Sequence, residues 1–143
     1  MSKMKKEEVL AELEKINEYL QKCLWMEFTI SESNWGRVEM IGAIDQAWNN
    51  YVDNYAIKLV FKLPYFISSL ISWNADTTKP IIQLLDKKEV LKLKKWFRAG
   101  ERYYVFKINT EFSGDPPGYV VAEGIECVIL NKSPFGSFDE SKD

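Results

Sequence analysis

The sequence predicts an α+β domain: a mainly antiparallel, strongly twisted sheet of about six or seven strands, with an N-terminal amphipathic helix and a second helix near 86–99 packed on one face. Three observations predict it. Residues 5–24 repeat apolar positions at helical spacing. Most later segments alternate apolar and polar residues, as half-buried strands do. The connections between those segments are of hairpin length, which favours antiparallel pairing.

The first helix rests on Val9, Leu13, Ile16, Leu20 and Cys23, spaced alternately four and three apart, with Leu10 and Leu24 widening the stripe. Glu12 and Lys15, and Glu18 and Lys22, form favourable surface pairs on it. From Trp25 to Ser31 the period changes to two: Met26, Phe28 and Ile30 alternate with Glu27, Thr29 and Ser31. Ser33-Asn34-Trp35-Gly36 is a turn, with Gly36 free to take positive φ, and Arg37–Ile44 is the return strand. Asp45–Asn54 mixes helical spacing with turn-forming Asn and Asp, and reads as a loop.

Tyr55–Lys62 is a strand with Ile57, Leu59 and Phe61 on one side. Pro64 is expected to interrupt it, because proline cannot donate to a ladder. Tyr65–Trp73 is a further extended run, Asn74–Pro80 a polar loop, and Ile81–Leu85 a short apolar run of undecided type. Asp86 and Glu89 form a capping box for the second helix, which runs to Ala99 ahead of Gly100. In Arg102–Asn109, Tyr104, Phe106 and Ile108 share one face, and Tyr103 and Val105 the other. A hard turn at Asp115-Pro116-Pro117-Gly118 leads into Tyr119–Leu130, one long strand or two short ones meeting near Gly124. Residues 1–130 thus read as one domain, and 131–143 as a polar, flexible tail.

Composition bounds the chemistry. The chain has 143 residues, 46% hydrophobic and 28% charged, which suits a single globular domain. It has no histidine, which removes Ser-His and Cys-His catalysis, histidine bases and histidine metal sites. Its two cysteines, Cys23 and Cys127, are far apart in sequence and outside any metal-ligand spacing, so they read as buried small hydrophobes. The seven glycines form no phosphate-binding motif, and Ser68, Ser69 and Ser72 no nucleophile elbow. No cofactor and no metal are expected. The N-terminus has no apolar signal core and no run reaches the ~18 residues of a membrane span, so a cytoplasmic address is expected.

The net charge is -2, but Lys87–Arg102 holds seven basic and two acidic residues, so the remainder stands at -7. Lys88, Lys92, Lys95 and Arg98 form a candidate anion-binding face, against a plain reading as solvated lysines placed late in a helix. Asp45, Trp48, Asn50, Tyr51 and Asp53 form a candidate partner-binding surface, since aromatics supply contact area and short polar groups supply hydrogen bonds. The plain reading is a loop whose aromatics fold onto the core. Glu27, Glu39, Glu123 and Glu126 lie on or beside strands; paired carboxylates run acid-base chemistry, but alternating glutamates on strands are ordinarily the solvent face.

By elimination the sequence points to a non-catalytic binding protein, a small acidic inhibitor of the immunity type that binds and blocks another macromolecule. The expected partner is a protein with a basic surface, ahead of nucleic acid or a membrane surface. The alternatives are a module for a small apolar ligand built on an aromatic-rich sheet, and an adaptor for anionic surfaces through the helix at 87–98.

Overall fold

The computed structural model describes residues 4–23, 26–43, 55–69, 72–75, 77–93, 103–110 and 116–130. Among them the chain forms helix α1 (Lys6–Gln21), strands β1 (Met26–Ser33), β2 (Arg37–Ala43), β3 (Tyr55–Ser68), β4 (Ser72–Ala75) and β5 (Ile82–Leu84), helix α2 (Lys87–Lys92), and strands β6 (Tyr104–Ile108) and β7 (Gly118–Ile129). The strands make one antiparallel sheet in the order β4-β1-β2-β3-β7-β6-β5. The sheet curls into a half-barrel, and an isolated bridge between Ala75 and Thr110 brings its far ends together. The α+β class and the antiparallel sheet are as the sequence predicts.

The inner face of the half-barrel carries Met26, Phe28, Met40, Ile57, Leu59, Phe61, Phe106 and Ile108, all buried. Onto it α1 lays Val9, Leu13, Ile16 and Leu20, the stripe expected from the spacing. A lone 16-residue helix is marginal in water. Burying each of these side chains contributes roughly 1.5–3 kcal/mol, so packing decides its stability. Phe61 and Phe106 meet edge to face at 5.4 Å, and Phe28 stacks on Trp73 at 5.6 Å.

One detail differs from expectation: the helices do not share a face. Val90 within α2 and Leu93 just beyond its end pack with Phe66 on Val105 and Val121. Those two valines alternate with the inner-face residues Phe106, Val120 and Ala122. Helical spacing reveals an apolar side but not which sheet face receives it. The Asp86–Glu89 capping box forms as predicted, at 2.9 and 3.0 Å, yet the helix closes at Leu93 instead of reaching Ala99. Residues 94–100 lie outside the described residues.

The predicted break at Pro64 is absent; β3 runs through it. The β2 ladder ends at Arg37↔Lys62, before Pro64, while the pairing with β7 continues through Pro64↔Ala122. A bulge between Pro64 and Phe66 takes up the misfit. The positive φ expected at Gly36 is found instead at Leu63, at 47°, whose N–H donates to the Gly36 carbonyl at 3.0 Å. Ile81–Leu85 resolves as a strand, β5, and Tyr119–Leu130 as one long strand, β7.

Two exposed backbone edges, the end of β7 beyond β6 and the outer edge of β5, are covered. The β6 ladder on β7 stops at Tyr104↔Ala122. Beyond it, the Met4 N–H donates to the Glu123 carbonyl at 3.3 Å, the Ile125 N–H to Met4 Sδ at 3.3 Å, and the Cys127 N–H to Glu12 Oε1 at 2.8 Å. At β5, Asn17 of α1 accepts from the Ile81 and Ile82 N–H groups at 2.7 and 3.3 Å and donates to the Ile82 carbonyl at 3.0 Å. Met4 ahead of α1, and Glu12 and Asn17 on it, thus satisfy backbone groups that would otherwise invite another strand.

Candidate interaction surface

The β1–β2 hairpin ends in a turn built from its own residues. Asn34 Oδ1 accepts from the N–H groups of Gly36 at 2.8 Å and Arg37 at 3.0 Å, and the Asn34 N–H donates to the Arg37 carbonyl at 2.9 Å. Short amide side chains favour this local bonding. The Asn34 side-chain amide also donates to Glu32 at 3.1 Å. On this fixed turn Trp35 is 86% exposed, the most exposed of the large apolar side chains among the described residues.

The outer face of β1, β2, β3 and β7 below the turn carries a ladder of charges. Glu39 is its centre: it accepts from Ser31 Oγ at 2.7 Å and Arg37 at 2.6 Å, and lies 3.5 Å from Lys58. Partial burial pushes its carboxyl upward. The Ser31 hydrogen bond and the Lys58 and Arg37 charges outweigh that and hold it below the usual carboxylate range. Arg37 Nε is 3.2 Å from Glu32 but not aligned for a hydrogen bond, so that contact is purely electrostatic. Lys62 and Glu126 stand 4.0 Å apart, and Ser72 donates to Glu27 at 3.4 Å. Glu39 and Glu126 both oppose Val60, from strands on either side of it, and each has its own lysine. The arrangement is a solvent face with matched charges.

Beside the hairpin tip, on β3, Tyr65 is half-exposed and packs on Tyr103 at 5.1 Å. At the other side of the molecule, Lys15, Glu18, Tyr19, Lys22 and Ile129 bound an open groove of about 250 Å³. Behind it Cys23 and Cys127 are buried and free, and burial pushes both thiols up to about 11. Burial also raises the Tyr19 phenol. Such thiols are poor nucleophiles at neutral pH.

The residues singled out from sequence fare unevenly. Asp45, Trp48, Asn50, Tyr51 and Asp53 lie outside the described residues, as do Lys95 and Arg98. Lys88 and Lys92 are exposed on α2 with Glu89 between them. Glu123 is buried within β7. Trp35 was legible only as part of a turn; the signal for its exposure is its place between Asn34 and Gly36 at a hairpin tip, where no core lies within reach. Among the described residues no cluster of three potential metal-ligating His, Cys, Asp or Glu side chains occurs, and no helix is long and apolar enough to cross a membrane. The chain matches no protein-family model, no curated protein and no solved structure.

Proposed function

We propose that this protein acts by binding and blocking another protein, without catalysis, and that Trp35 is the anchor of the contact. The observation that supports this is the 86% exposure of a tryptophan on a turn whose hydrogen bonds are already satisfied internally. A rigid aromatic loses little freedom on binding, and burying one in a partner pocket is worth about 2 kcal/mol or more. The charged ladder beside it would form a polar rim that orients the partner and excludes wrong ones.

The reading keeps the acidic segment as a rival contact. Trp35 lies at the Arg37 end of β2; Asp45–Asp53 follow its Ala43 end in sequence and lie outside the described residues. The reading disfavours an apolar-ligand module, because Phe28, Phe61 and Phe106 are fully buried as parts of one packed core.

The experiment compares capture from native lysate by the wild-type chain, Trp35→Ala, and Trp48→Ala with Tyr51→Ala, at low and moderate salt. The reading expects one basic protein, retained by the wild type at both salts and lost in Trp35→Ala with unchanged thermal stability. Loss only in the Trp48/Tyr51 variant would move the contact to the acidic segment. Recovery of nucleic acid or lipid alone, lost at the higher salt, would overturn the reading in favour of Lys88, Lys92, Lys95 and Arg98.

A further inference from the structure

We propose that Met4 is a reversible oxidation site, at which a peroxide releases the start of α1 from the open edge of β7. Four contacts meet at this residue. Its N–H donates to Glu123, its sulfur accepts from the Ile125 N–H, and its carbonyl accepts from Tyr104 Oη at 2.6 Å. Its side chain also lies on Gly124, so closely that a β-carbon there would stand 2.5 Å from the sulfur. Met4 therefore fastens the chain entering α1 to the stretch of β7 that β6 leaves uncovered.

Among the described sulfur-bearing residues, Met4 alone is only partly buried. Met26 and Met40 are fully buried in the inner core. Cys23 and Cys127 are 6% and 4% exposed, and their protonated thiols react slowly with peroxide. Met4 is partly buried and packs against the core from outside it.

The chemistry is a two-electron oxygen transfer. A sulfur lone pair attacks one peroxide oxygen, the O–O bond breaks, a sulfoxide forms, and the second oxygen leaves as water after proton transfer. Sulfur is oxidised and the peroxide reduced. The product is polar and strongly hydrated, and it carries an extra oxygen. The β7 side of the sulfur is taken up by Gly124 and by the Ile125 N–H 3.3 Å away, so the polar, hydrated sulfoxide is drawn to the solvent side. The side chain turns toward water, and the Ile125 N–H loses its sulfur partner. Reduction by a thiol-dependent methionine sulfoxide reductase restores the contact.

The test treats the full chain with hydrogen peroxide, locates added oxygen by peptide mapping, and follows amide hydrogen exchange. Met4 should oxidise well before Met26 and Met40. The Ile125 and Cys127 amides should then exchange about tenfold faster or more, and reductase should reverse both changes. Met4→Leu should show no peroxide-induced gain in exchange; should that variant not fold, reductase rescue of the wild type decides alone. Equal oxidation of Met26 or Met40, unchanged exchange in the Met4 sulfoxide, or the same peroxide response in Met4→Leu would overturn the proposal.

Discussion

Gly124 and Met4 are fitted to each other: the glycine on β7 has no side chain where the methionine ahead of α1 places its thioether, and a β-carbon would meet Sδ at 2.5 Å and Cγ at 2.8 Å. Adding that carbon displaces a flexible side chain, not backbone, so Gly124→Ala should fold but lose about 1–2 kcal/mol. Urea unfolding of Gly124→Ala, Met4→Ala and the double variant checks this. The two costs should be strongly non-additive, since either change empties the same seat. Simple additivity would mean that they act apart.

Asn17 ties α1 to β5 through both its amide oxygen and its nitrogen. Asn17→Ala leaves the Ile81 and Ile82 amides without that partner, and a partly buried unsatisfied group costs about 1–3 kcal/mol. Asn17→Leu, with similar volume and no polar atoms, should be equally damaging if hydrogen bonding is the cause. A clear rescue by leucine would assign the position to packing instead.

These two residues also mark the limit of sequence reading. The α1 stripe, the alternation in β1 and β6, and the capping box at Asp86 were legible because each is a local repeat or a local hydrogen-bonded motif. Asn17 and Glu12 lie off the stripe, and Glu12 reads as a surface partner of Lys15; only the fold reveals that uncovered strand edges need them. Pro64 misled for the same reason: whether a proline ends a strand depends on its neighbours, and here the pairing with β7 continues past it through a bulge. The site was less legible than the fold. Neither the exposure of Trp35 nor the pairing of Glu39 has a local signature beyond a turn and an alternating glutamate.

Trp73 is 5% exposed and stacked on Phe28, yet its indole N–H has no hydrogen-bond partner among the described residues. Trp73→Phe removes that unsatisfied donor while giving up some buried area, two effects of about 1–3 kcal/mol and opposite sign. The net change should stay within about 1 kcal/mol. Phe61→Ala, which opens a cavity in the same core, should cost about 3–5 kcal/mol. Thermal unfolding of the two variants side by side separates them, and a large loss in Trp73→Phe would show that the indole nitrogen is bonded in solution.

Glu39 provides the pH test. Its folded carboxyl titrates below the usual range because Ser31, Lys58 and Arg37 favour the charged form over the opposing effect of burial. A depressed folded value stabilises the domain above the unfolded value, about 4.3, and that stability is lost as pH falls through the folded value. Glu39→Gln cannot titrate. At pH 7 it should be less stable than the wild type by about 1 kcal/mol, in keeping with a partly exposed network. The gap should close as the pH is lowered below about 4, because protonation then removes the same charge from the wild type. Urea midpoints across pH 2–7, taken as the difference between the two proteins, cancel the slope shared with the other carboxylates. A constant difference down to the lowest pH would mean that Glu39 contributes through shape and neutral hydrogen bonding, and that Arg37 and Lys58 do not stabilise its charge.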